Sequence, residues 1–325
     1  MRTYRGARVV VLGAAGFMGR WVASALCAVG AAVHLVVRDR RAAEAVFEDH
    51  EICGDVSELD LLDEGKVQEL FRKIEPAITF NLAGYGVDRS ERDEKLSYEI
   101  NASLVTTIGK AAAGIGDPSW PGQQVVHTGS ALEYGTIDGD LAETSIPHPT
   151  TLYGQSKLAG TRNLAACCAE SGLRGLTARL FMVYGPGEHA GRLLPGLLEA
   201  ARTDRVMELT AGLQRRDFTY VKDVAEGLLR LGLCQAKPGE IVNLATGKLI
   251  SIRHFTESAA SILHISPDRL KFGAISVRAE EMNHSDVNIE RLQELTSWAP
   301  RTDIYTGIRE TVDFTNSRVK LTSPG

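Results

Sequence analysis

The stretch Arg8-Val-Val-Val-Leu12-Gly13-Ala-Ala-Gly16-Phe-Met-Gly19 decides the fold. Its first five residues form a β-branched run that predicts a strand, and Trp21 to Val29 has the apolar spacing of a helix. The glycines between them permit a tight turn, and their bare backbone lets a pyrophosphate approach the unpaired N–H groups at the helix N-terminus. The stretch therefore predicts a dinucleotide site at the start of a doubly wound α/β fold. The predicted contacts are Gly13, Gly16, Phe17, Met18 and Gly19.

A basic cluster follows the second predicted strand, Ala32 to Val37. Where an NAD enzyme offers an acid to the ribose hydroxyls, this chain has Arg38-Asp39-Arg40-Arg41. Guanidinium groups suit a 2′-phosphate, so the cluster favours NADP(H), with Arg38 and Arg41 as the contacts. Asp39 keeps NAD as the alternative cofactor.

The third strand has two candidate positions, Glu51 to Val56 and Glu58 to Leu62. We prefer the second, because Asp63 then caps a helix that runs from Glu64 to Ile74. This choice places Asp60-Leu61 beside the adenine of the predicted dinucleotide cofactor.

Further apolar runs alternate with helical segments along the chain. One predicted helix, Ser97 to Ala113, carries Asn101. Ligands of doubly wound sheets lie beyond the carboxyl ends of the strands, on the side of the glycine turn. The further predicted strands are Ala77 to Leu82, Val125 to Thr128, Thr177 to Val183 and Ile241 to Leu244.

Three side chains are candidates for proton chemistry. Tyr153-Gly-Gln-Ser-Lys157 places a phenol and an ammonium four residues apart in a predicted long helix, so the two share one face. The lysine charge is expected to favour the phenolate and lower the tyrosine pKa from about 10, which suits a general acid or base. Ser130, after the fifth strand, lies on the ligand side, where its hydroxyl can donate to a substrate carbonyl.

Composition excludes several classes of protein. The chain has 325 residues, 44% of them hydrophobic, and a formal net charge of −5. It has no basic stripe for nucleic acid and no apolar run of membrane-spanning length. Its five cysteines form an odd set without metal-ligand spacing, which predicts a reducing compartment, no disulfide and no metal. We therefore expect a cytoplasmic protein.

A set of motifs occurs in a fixed order along nearly the whole chain. Together they resemble the extended short-chain dehydrogenase/reductase family of nucleotide-sugar epimerases, dehydratases and ketoreductases. The motifs are Gly13-x-x-Gly16-x-x-Gly19, Leu82-Ala83-Gly84, Asn101, Ser130 with Tyr134-Gly135, Tyr153-x-x-x-Lys157, and Arg179 with Val183-Tyr-Gly-Pro-Gly187.

The resemblance implies an architecture. It implies a dinucleotide-binding Rossmann domain over residues 1–178, with a return at 219–248, and a smaller C-terminal α/β domain over 179–325 that binds a nucleotide sugar. It also implies a homodimer joined through helices such as Tyr153 to Glu170.

The resemblance also implies roles for individual residues. Tyr153 resembles the family's acid, Lys157 the partner that holds the nicotinamide ribose, and Ser130 the hydroxyl that binds the carbonyl. Further cofactor contacts implied are Leu82, Ala83, Gly84 and Asn101. The substrate contacts implied are Met182, Arg192 and Leu193, Arg216 in the segment Gly212 to Asp223, and Arg278 before Glu281.

Departures from the family pattern narrow the activity. In the 4,6-dehydratases an acidic pair follows the serine or threonine, and this chain has Ala131 and Leu132 there. Glu133 comes one position late, and on an extended strand end it is expected to face away, so elimination lacks its proton carriers. Met182 replaces an asparagine of many relatives. The sequence Ser-x-x-Glu-Tyr-Gly resembles the NADP-dependent reductases of 4-keto-6-deoxy sugars.

The leading hypothesis is therefore NADPH-dependent reduction of the C4 keto group of a dTDP-, GDP- or CDP-linked 4-keto-6-deoxyhexose. An NAD-dependent nucleotide-sugar 4-epimerase would use the same serine, tyrosine and lysine. A non-catalytic NADP-binding regulator is a more distant alternative, because such a protein has no need for all three.

Overall fold

The computed structural model describes residues 1–88, 90–115, 117, 119–137, 139–277 and 286–322. Strands and helices alternate along most of this length. The strands are β1 (Arg8–Leu12), β2 (Ala32–Val37), β3 (Asp55–Glu58), β4 (Ile78–Asn81), β5 (Val125–Ser130), β6 (Gly175–Leu180), β7 (Met182–Tyr184), β8 (Met207–Leu209), β9 (Arg215–Tyr220), β10 (Glu240–Leu244), β11 (Leu249–Ser251) and β12 (Leu270–Phe272). The α-helices are α1 (Phe17–Ala28), α2 (Arg40–Asp49), α3 (Glu64–Ile74), α4 (Glu94–Tyr98), α5 (Leu104–Ala113), α6 (Leu152–Ser171), α7 (Leu193–Thr203), α8 (Val221–Leu233), α9 (Ile252–Ile262), α10 (Glu290–Thr296) and α11 (Ile304–Thr322).

A seven-stranded parallel sheet forms the centre of the molecule, in the order β10-β6-β5-β4-β1-β2-β3. Strand order reverses on either side of β1, which is the arrangement of a doubly wound sheet. The predicted fold class is therefore confirmed. The bounds predicted for β1 and β2 agree with the structure.

Both faces of the sheet are buried, as parallel sheets require. Successive side chains of a strand point to opposite faces. Val9 and Val11 therefore belong to one apolar cluster with residues of α1 and α8, whereas Val10 and Leu12 belong to a second cluster with residues of α3 and α5. Because all seven strands are parallel, their carboxyl ends lie at one common edge of the sheet.

The third strand is not where the sequence placed it. It is β3, Asp55–Glu58, so the preferred segment Glu58 to Leu62 is wrong as a strand, and the alternative Glu51 to Val56 overlaps β3 only at its last two residues. β3 is the outermost strand, pairs only with β2 in this sheet and is only partly buried, so it lacks the apolar run of a central strand. Asp63 nevertheless caps α3, accepting a hydrogen bond from Lys66 N at 3.1 Å, as predicted.

The run predicted as a single sixth strand divides at Phe181. β6 belongs to the central sheet, whereas β7 pairs in parallel with β9 in a separate three-stranded sheet of order β11-β9-β7. A further two-stranded sheet pairs β8 with β12. The chain therefore leaves the central sheet at the edge where its ligand side lies.

The predicted helix Ser97 to Ala113 also has internal structure. α4 leads into a π-helical segment, Glu99–Ser103, which leads into α5. π-Helical segments in longer helices often occur at functional sites. In this chain the segment carries Asn101. Among the described residues, no helix combines the length and the apolar character needed to cross a membrane.

Candidate active site

The glycine turn forms a cradle with the loop that follows β4. Gly13 has a positive φ of 75°, and a Cβ there would lie 3.0 Å from Ala83 N. A Cβ on Gly19 would overlap the carbonyl oxygen of Gly13. Gly16 is the N-cap of α1, where unpaired N–H groups and the helix dipole favour an anion. The turn therefore fits a pyrophosphate, and any larger side chain would fill it.

The other predicted cofactor residues surround this cradle. Phe17 and Met18 occupy the first turn of α1 and are partly buried against the apolar cluster. Leu82 N donates to Leu12 O at 3.1 Å, which continues the β-type pairing and brings the loop after β4 beside the glycine turn. Gly84 is exposed in the same loop.

Asn101 is fully buried, and its amide is used within the protein. Its Oδ1 accepts from Tyr85 N at 3.0 Å, and its Nδ2 donates to Tyr85 O at 2.8 Å and to Ser156 Oγ at 2.9 Å. These bonds join the π-helical segment, the loop after β4 and α6. We therefore propose that Asn101 supports the cofactor site by fixing the shape of this loop.

The basic cluster lies at the end of β2, as predicted. Arg38 and Arg41 are exposed. Asp39 is the N-cap of α2, where its Oδ1 accepts from Ala42 N at 2.9 Å. Asp60-Leu61 follows β3 in a turn, where Asp60 Oδ1 accepts from Leu62 N at 3.0 Å. The position of Asp60-Leu61 beside an adenine stays a prediction.

The candidate catalytic residues lie on two elements that pack against each other. Ser130 ends β5, and its Oγ accepts from Leu132 N at 3.2 Å, which leaves the hydroxyl proton available for donation. Tyr153 and Lys157 lie on α6. A Cβ on Gly154 would overlap the Leu132 carbonyl oxygen, so the start of α6 lies against the turn that follows Ser130.

The electrostatics of this pair differ from the expectation. Burial, followed by the negative charge of Glu133, raises the pKa of Tyr153, and Arg192 opposes this shift. Burial also lowers the pKa of Lys157 to about 8, against the opposing effect of Glu133. The predicted net lowering of the Tyr153 pKa is therefore wrong, because removal of the phenol from water outweighs nearby positive charge.

Glu133 does not lie on an extended strand end. It belongs to a one-turn 3₁₀ helix, Ala131–Glu133, and its side chain is fully buried. Its Oε2 accepts from Arg179 Nε at 2.9 Å, and its Oε1 accepts from Ser130 N at 2.8 Å. The prediction of an extended backbone at Glu133 is wrong, and its carboxylate forms a buried ion pair with Arg179. The sequence contained a signal for this pair, because an arginine within a buried strand requires a buried acceptor.

Two of the predicted substrate residues contact each other on the other side of the site. Arg192 is the N-cap of α7, and its Nη2 lies 3.2 Å from Met182 Sδ at the start of β7. Its Nε contacts Glu188 Oε1 at 3.4 Å, and burial raises the pKa of Glu188 to about 7. Leu193 begins α7 directly after Arg192.

The two remaining substrate arginines lie further along the chain. Arg216 is buried on β9, and its Nη1 donates to Arg215 O at 2.7 Å. β9 pairs with β7, so Arg216 and Met182 belong to the same small sheet. Arg278 lies outside the described residues.

A metal centre receives no support from the part of the chain that the structure describes. No group of three or more His, Cys, Asp or Glu side chains there is placed to hold a metal ion. All five cysteines are free thiols.

The doubly wound sheet and its glycine-rich first turn define a dinucleotide-binding protein of the Rossmann class. Within that class, the chain belongs to the NAD dependent epimerase/dehydratase family, whose sequence model matches residues 9–245. The enzymes of this family use NAD(P).

Relatives with different activities match nearly the whole chain. The dTDP-6-deoxy-L-talose 4-dehydrogenase (NAD(P)(+)) of Kitasatospora kifunensis is 26% identical and the match covers 94% of each chain. The UDP-glucose 4-epimerase of Mycolicibacterium smegmatis is 27% identical, covering 94% of this chain and 98% of the relative. The structure of epimerase Mth375 from Methanothermobacter thermautotrophicus is similar with a TM-score of 0.86 at 21% identity, covering 98% and 95%. At that identity the structural likeness supports the fold alone.

Proposed function

We propose that this protein reduces the C4 keto group of a nucleotide-linked 4-keto-6-deoxyhexose with NADPH. The observation that carries the proposal is the surroundings of Ser130. The next two residues, Ala131 and Leu132, cannot carry protons, and the carboxylate of Glu133 is buried in an ion pair. The chain therefore has groups for proton transfer at a carbonyl without the acidic pair that water elimination requires. The dTDP-6-deoxy-L-talose 4-dehydrogenase relative, whose name describes oxidation at C4, supports redox chemistry at that carbon, with reduction as the reverse direction.

The residues around the glycine turn fit the cofactor. Gly13, Gly16 and Gly19 would hold the pyrophosphate, and the exposed Arg38 and Arg41 would bind the 2′-phosphate. Asp39 caps α2 through its Oδ1 and stands between two arginines, whose positive charge suits a 2′-phosphate and supports NADP(H) over NAD. When bound, the nicotinamide cofactor supplies the hydride.

The chain's own side chains bind and protonate the carbonyl oxygen of the substrate. Ser130 donates its hydroxyl proton to the oxygen in a hydrogen bond, and Tyr153 transfers a proton to it as negative charge develops. The Tyr153 phenol is protonated at neutral pH, as an ordinary tyrosine is, and the rise in its pKa on burial keeps it so. Lys157 would hold the nicotinamide ribose and stabilise the tyrosinate that forms.

The region after β6 would bind the nucleotide sugar. We assign residues 179–325 to this role, except for the return at 219–248, which includes β10 in the central sheet. Arg192 and Leu193 would pack on the base, Arg216 would bind the diphosphate, and Met182 would lie beside the sugar. The homodimer and the cytoplasmic location stay predictions.

A 4-epimerase is the second candidate function. The UDP-glucose 4-epimerase relative matches this chain along almost its entire length, and the same three catalytic groups serve both reactions. An epimerase must first remove a proton from a hydroxyl, and this step requires a tyrosinate. Net consumption of NADPH, which a reductase requires and an epimerase does not, separates the two reactions.

The test is to supply the protein with a dTDP-, a GDP- and a CDP-linked 4-keto-6-deoxyhexose together with NADPH, and separately with the matching 6-hydroxylated nucleotide hexoses. We expect NADPH absorbance to fall in proportion to product with a keto sugar only. Loss of one water from a hydroxylated sugar would show a dehydratase. Exchange of C4 epimers with no net change in NADPH would show an epimerase.

Replacement of Arg38 by alanine tests the cofactor assignment. A charge-assisted bond contributes roughly 1.5–3 kcal/mol, so we expect the Kd for NADPH to rise about tenfold or more. The Kd for NADH should stay near the parent value. Titration of each cofactor by protein fluorescence measures both constants. Arg309→Ala, at an exposed arginine of α11, is the matched control. If Arg38→Ala binds NADPH as tightly as the parent, the 2′-phosphate is held elsewhere.

A further inference from the structure

A charged side chain lies inside the central sheet. Arg179 is in β6 and is only 1% exposed. Its Nε donates to Glu133 Oε2 at 2.9 Å, and its guanidinium carbon lies 4.4 Å from the centre of the Tyr134 ring. The Tyr134 hydroxyl in turn donates to Asn243 Oδ1 at 2.7 Å. A buried ion pair is costly to desolvate and contributes little net stability, so the contacts it makes with neighbouring elements decide its role.

The Glu133 carboxylate also connects the two elements that carry the catalytic groups. Its Oε1 accepts from the backbone N–H of Ser130 at 2.8 Å, at the end of β5. Its Oε2 accepts from Thr161 Oγ1 at 3.0 Å, and Thr161 is one helical turn beyond Lys157 on the same face of α6. One carboxylate therefore joins the strand end of Ser130 to the helix of Lys157.

We propose that Glu133 is a positioning residue, which fixes the end of β5 against α6 and so sets Ser130 in place relative to Tyr153 and Lys157. This inference rests on the proposed function, because it assigns Glu133 a part in the same reaction. Glu133 touches neither the substrate nor the cofactor in this proposal. It acts through Ser130, Lys157 and Tyr153.

The charges around Lys157 come from several elements. On α6 itself the neighbouring titratable group is Tyr153. On β5, His127 is fully buried, and burial followed by the Lys157 charge lowers its pKa well below the usual value, so it is neutral. From the turn after β5, Glu133 raises the pKa of Lys157 against the effect of burial.

Tyr153 meets further charges from the opposite side of the site. Glu91, in the loop before α4, raises its pKa, and Arg192, before α7, lowers it. Glu133 acts on Tyr153 as well as on Lys157, and it raises both pKa values. The Glu133 charge is therefore expected to keep Lys157 as an ammonium and Tyr153 as a phenol up to a higher pH.

The direction of the effect follows from these two groups. The Lys157 ammonium is lost as pH rises through its pKa, and the Tyr153 phenol is lost in the same way. Removal of the Glu133 charge lowers both pKa values, so both changes move the alkaline limit of activity to lower pH. A substitution that only loosened packing would lower activity at every pH without this shift.

The experiment compares the parent with Glu133→Gln. NMR of protein labelled with ¹³Cε-lysine gives the pKa of Lys157, with the resonance assigned through Lys157→Met. We expect this pKa to fall by about one pH unit or more, because an opposite charge nearby contributes shifts of this size. The alkaline limb of kcat against pH, with NADPH and a keto sugar, should move by a similar amount.

Two further variants separate charge from structure. Thr161→Val removes a hydrogen bond but keeps the carboxylate, and we expect Lys157 to titrate as in the parent. Glu133→Leu/Arg179→Met replaces the whole pair by apolar groups, which proteins often tolerate. It should lower the Lys157 pKa as Glu133→Gln does, and it decides the question if the single variant does not fold.

The inference is overturned if the folded Glu133 variants titrate Lys157 at the parent value, or if Thr161→Val produces the same shift. The NMR readout needs no substrate, so it is independent of the proposed reaction. A parent protein that rejects every keto sugar would overturn the proposed function and leave the Lys157 shift as a valid test of Glu133.

Discussion

The Tyr153→Phe protein is expected to lose the chemical step by about a hundredfold or more while it binds NADPH and the nucleotide sugar as the parent does. The substitution removes a hydroxyl oxygen and leaves the ring, so the half-buried site keeps its shape. A positioned general acid contributes about 10²- to 10⁴-fold, and that contribution exists only in the transition state. Single-turnover measurement of NADPH oxidation with enzyme in excess isolates this step.

Tyr305→Phe is the control for this substitution. Tyr305 is 45% exposed on α11, so loss of its hydroxyl should leave the single-turnover rate near the parent value. A Tyr153→Phe rate within about threefold of the parent would mean that another group protonates the sugar oxygen. A raised Kd for NADPH together with a normal chemical rate would restrict Tyr153 to a binding role.

Local physical rules were sufficient for the first half of the central sheet. β1 and β2 are mostly apolar and, beyond their first residues, mostly buried, so side-chain type was enough to predict their bounds. The cap at Asp63 could be predicted because an N-cap depends on one side chain and the backbone of the next turn. The glycine turn is local in the same sense.

Features that depend on residues distant in the chain were harder to predict from the sequence. β3 is an edge strand with one partner, so its sequence carries little of the apolar pattern that identifies a central strand. The run from Thr177 to Val183 has no turn residue to mark a break, yet β7 beyond Phe181 pairs with β9 in a separate sheet. Sequence pattern alone does not report which sheet a strand joins.

The electrostatics of the site could be predicted only in part. The spacing of Tyr153 and Lys157 indicated a proton-transfer pair, but the sign of the Tyr153 pKa shift depends on burial and on Glu133. The position of Glu133 depends in turn on Arg179, which lies 46 residues away in the chain. The charge of Arg179 in a predicted buried strand was the available signal, because a buried arginine requires an acidic partner.

The glycine turn gives the second large effect, and Gly19→Ala is its test. A Cβ at Gly19 would overlap the carbonyl oxygen of Gly13, so the turn must open before the side chain fits. The obstacle is backbone that is itself held in a left-handed conformation at Gly13, which leaves no flexible group to move aside. Overpacking of this kind typically costs about 1–3 kcal/mol, and a lower Tm should accompany it.

The displaced atoms are those that would cradle the pyrophosphate, so the loss should fall most heavily on cofactor binding. We expect the Kd for NADPH to rise by more than about tenfold in Gly19→Ala, which corresponds to roughly 1.4 kcal/mol of binding free energy. Gly114→Ala is the matched control, because no atom lies within 4 Å of the added methyl group at the end of α5. Fluorescence titration and thermal unfolding of both variants measure the two effects. Parent-like NADPH affinity in Gly19→Ala would show that the cofactor's phosphates do not lie on this turn, because a turn that has opened to admit a methyl group cannot keep the N–H geometry that a bound pyrophosphate needs.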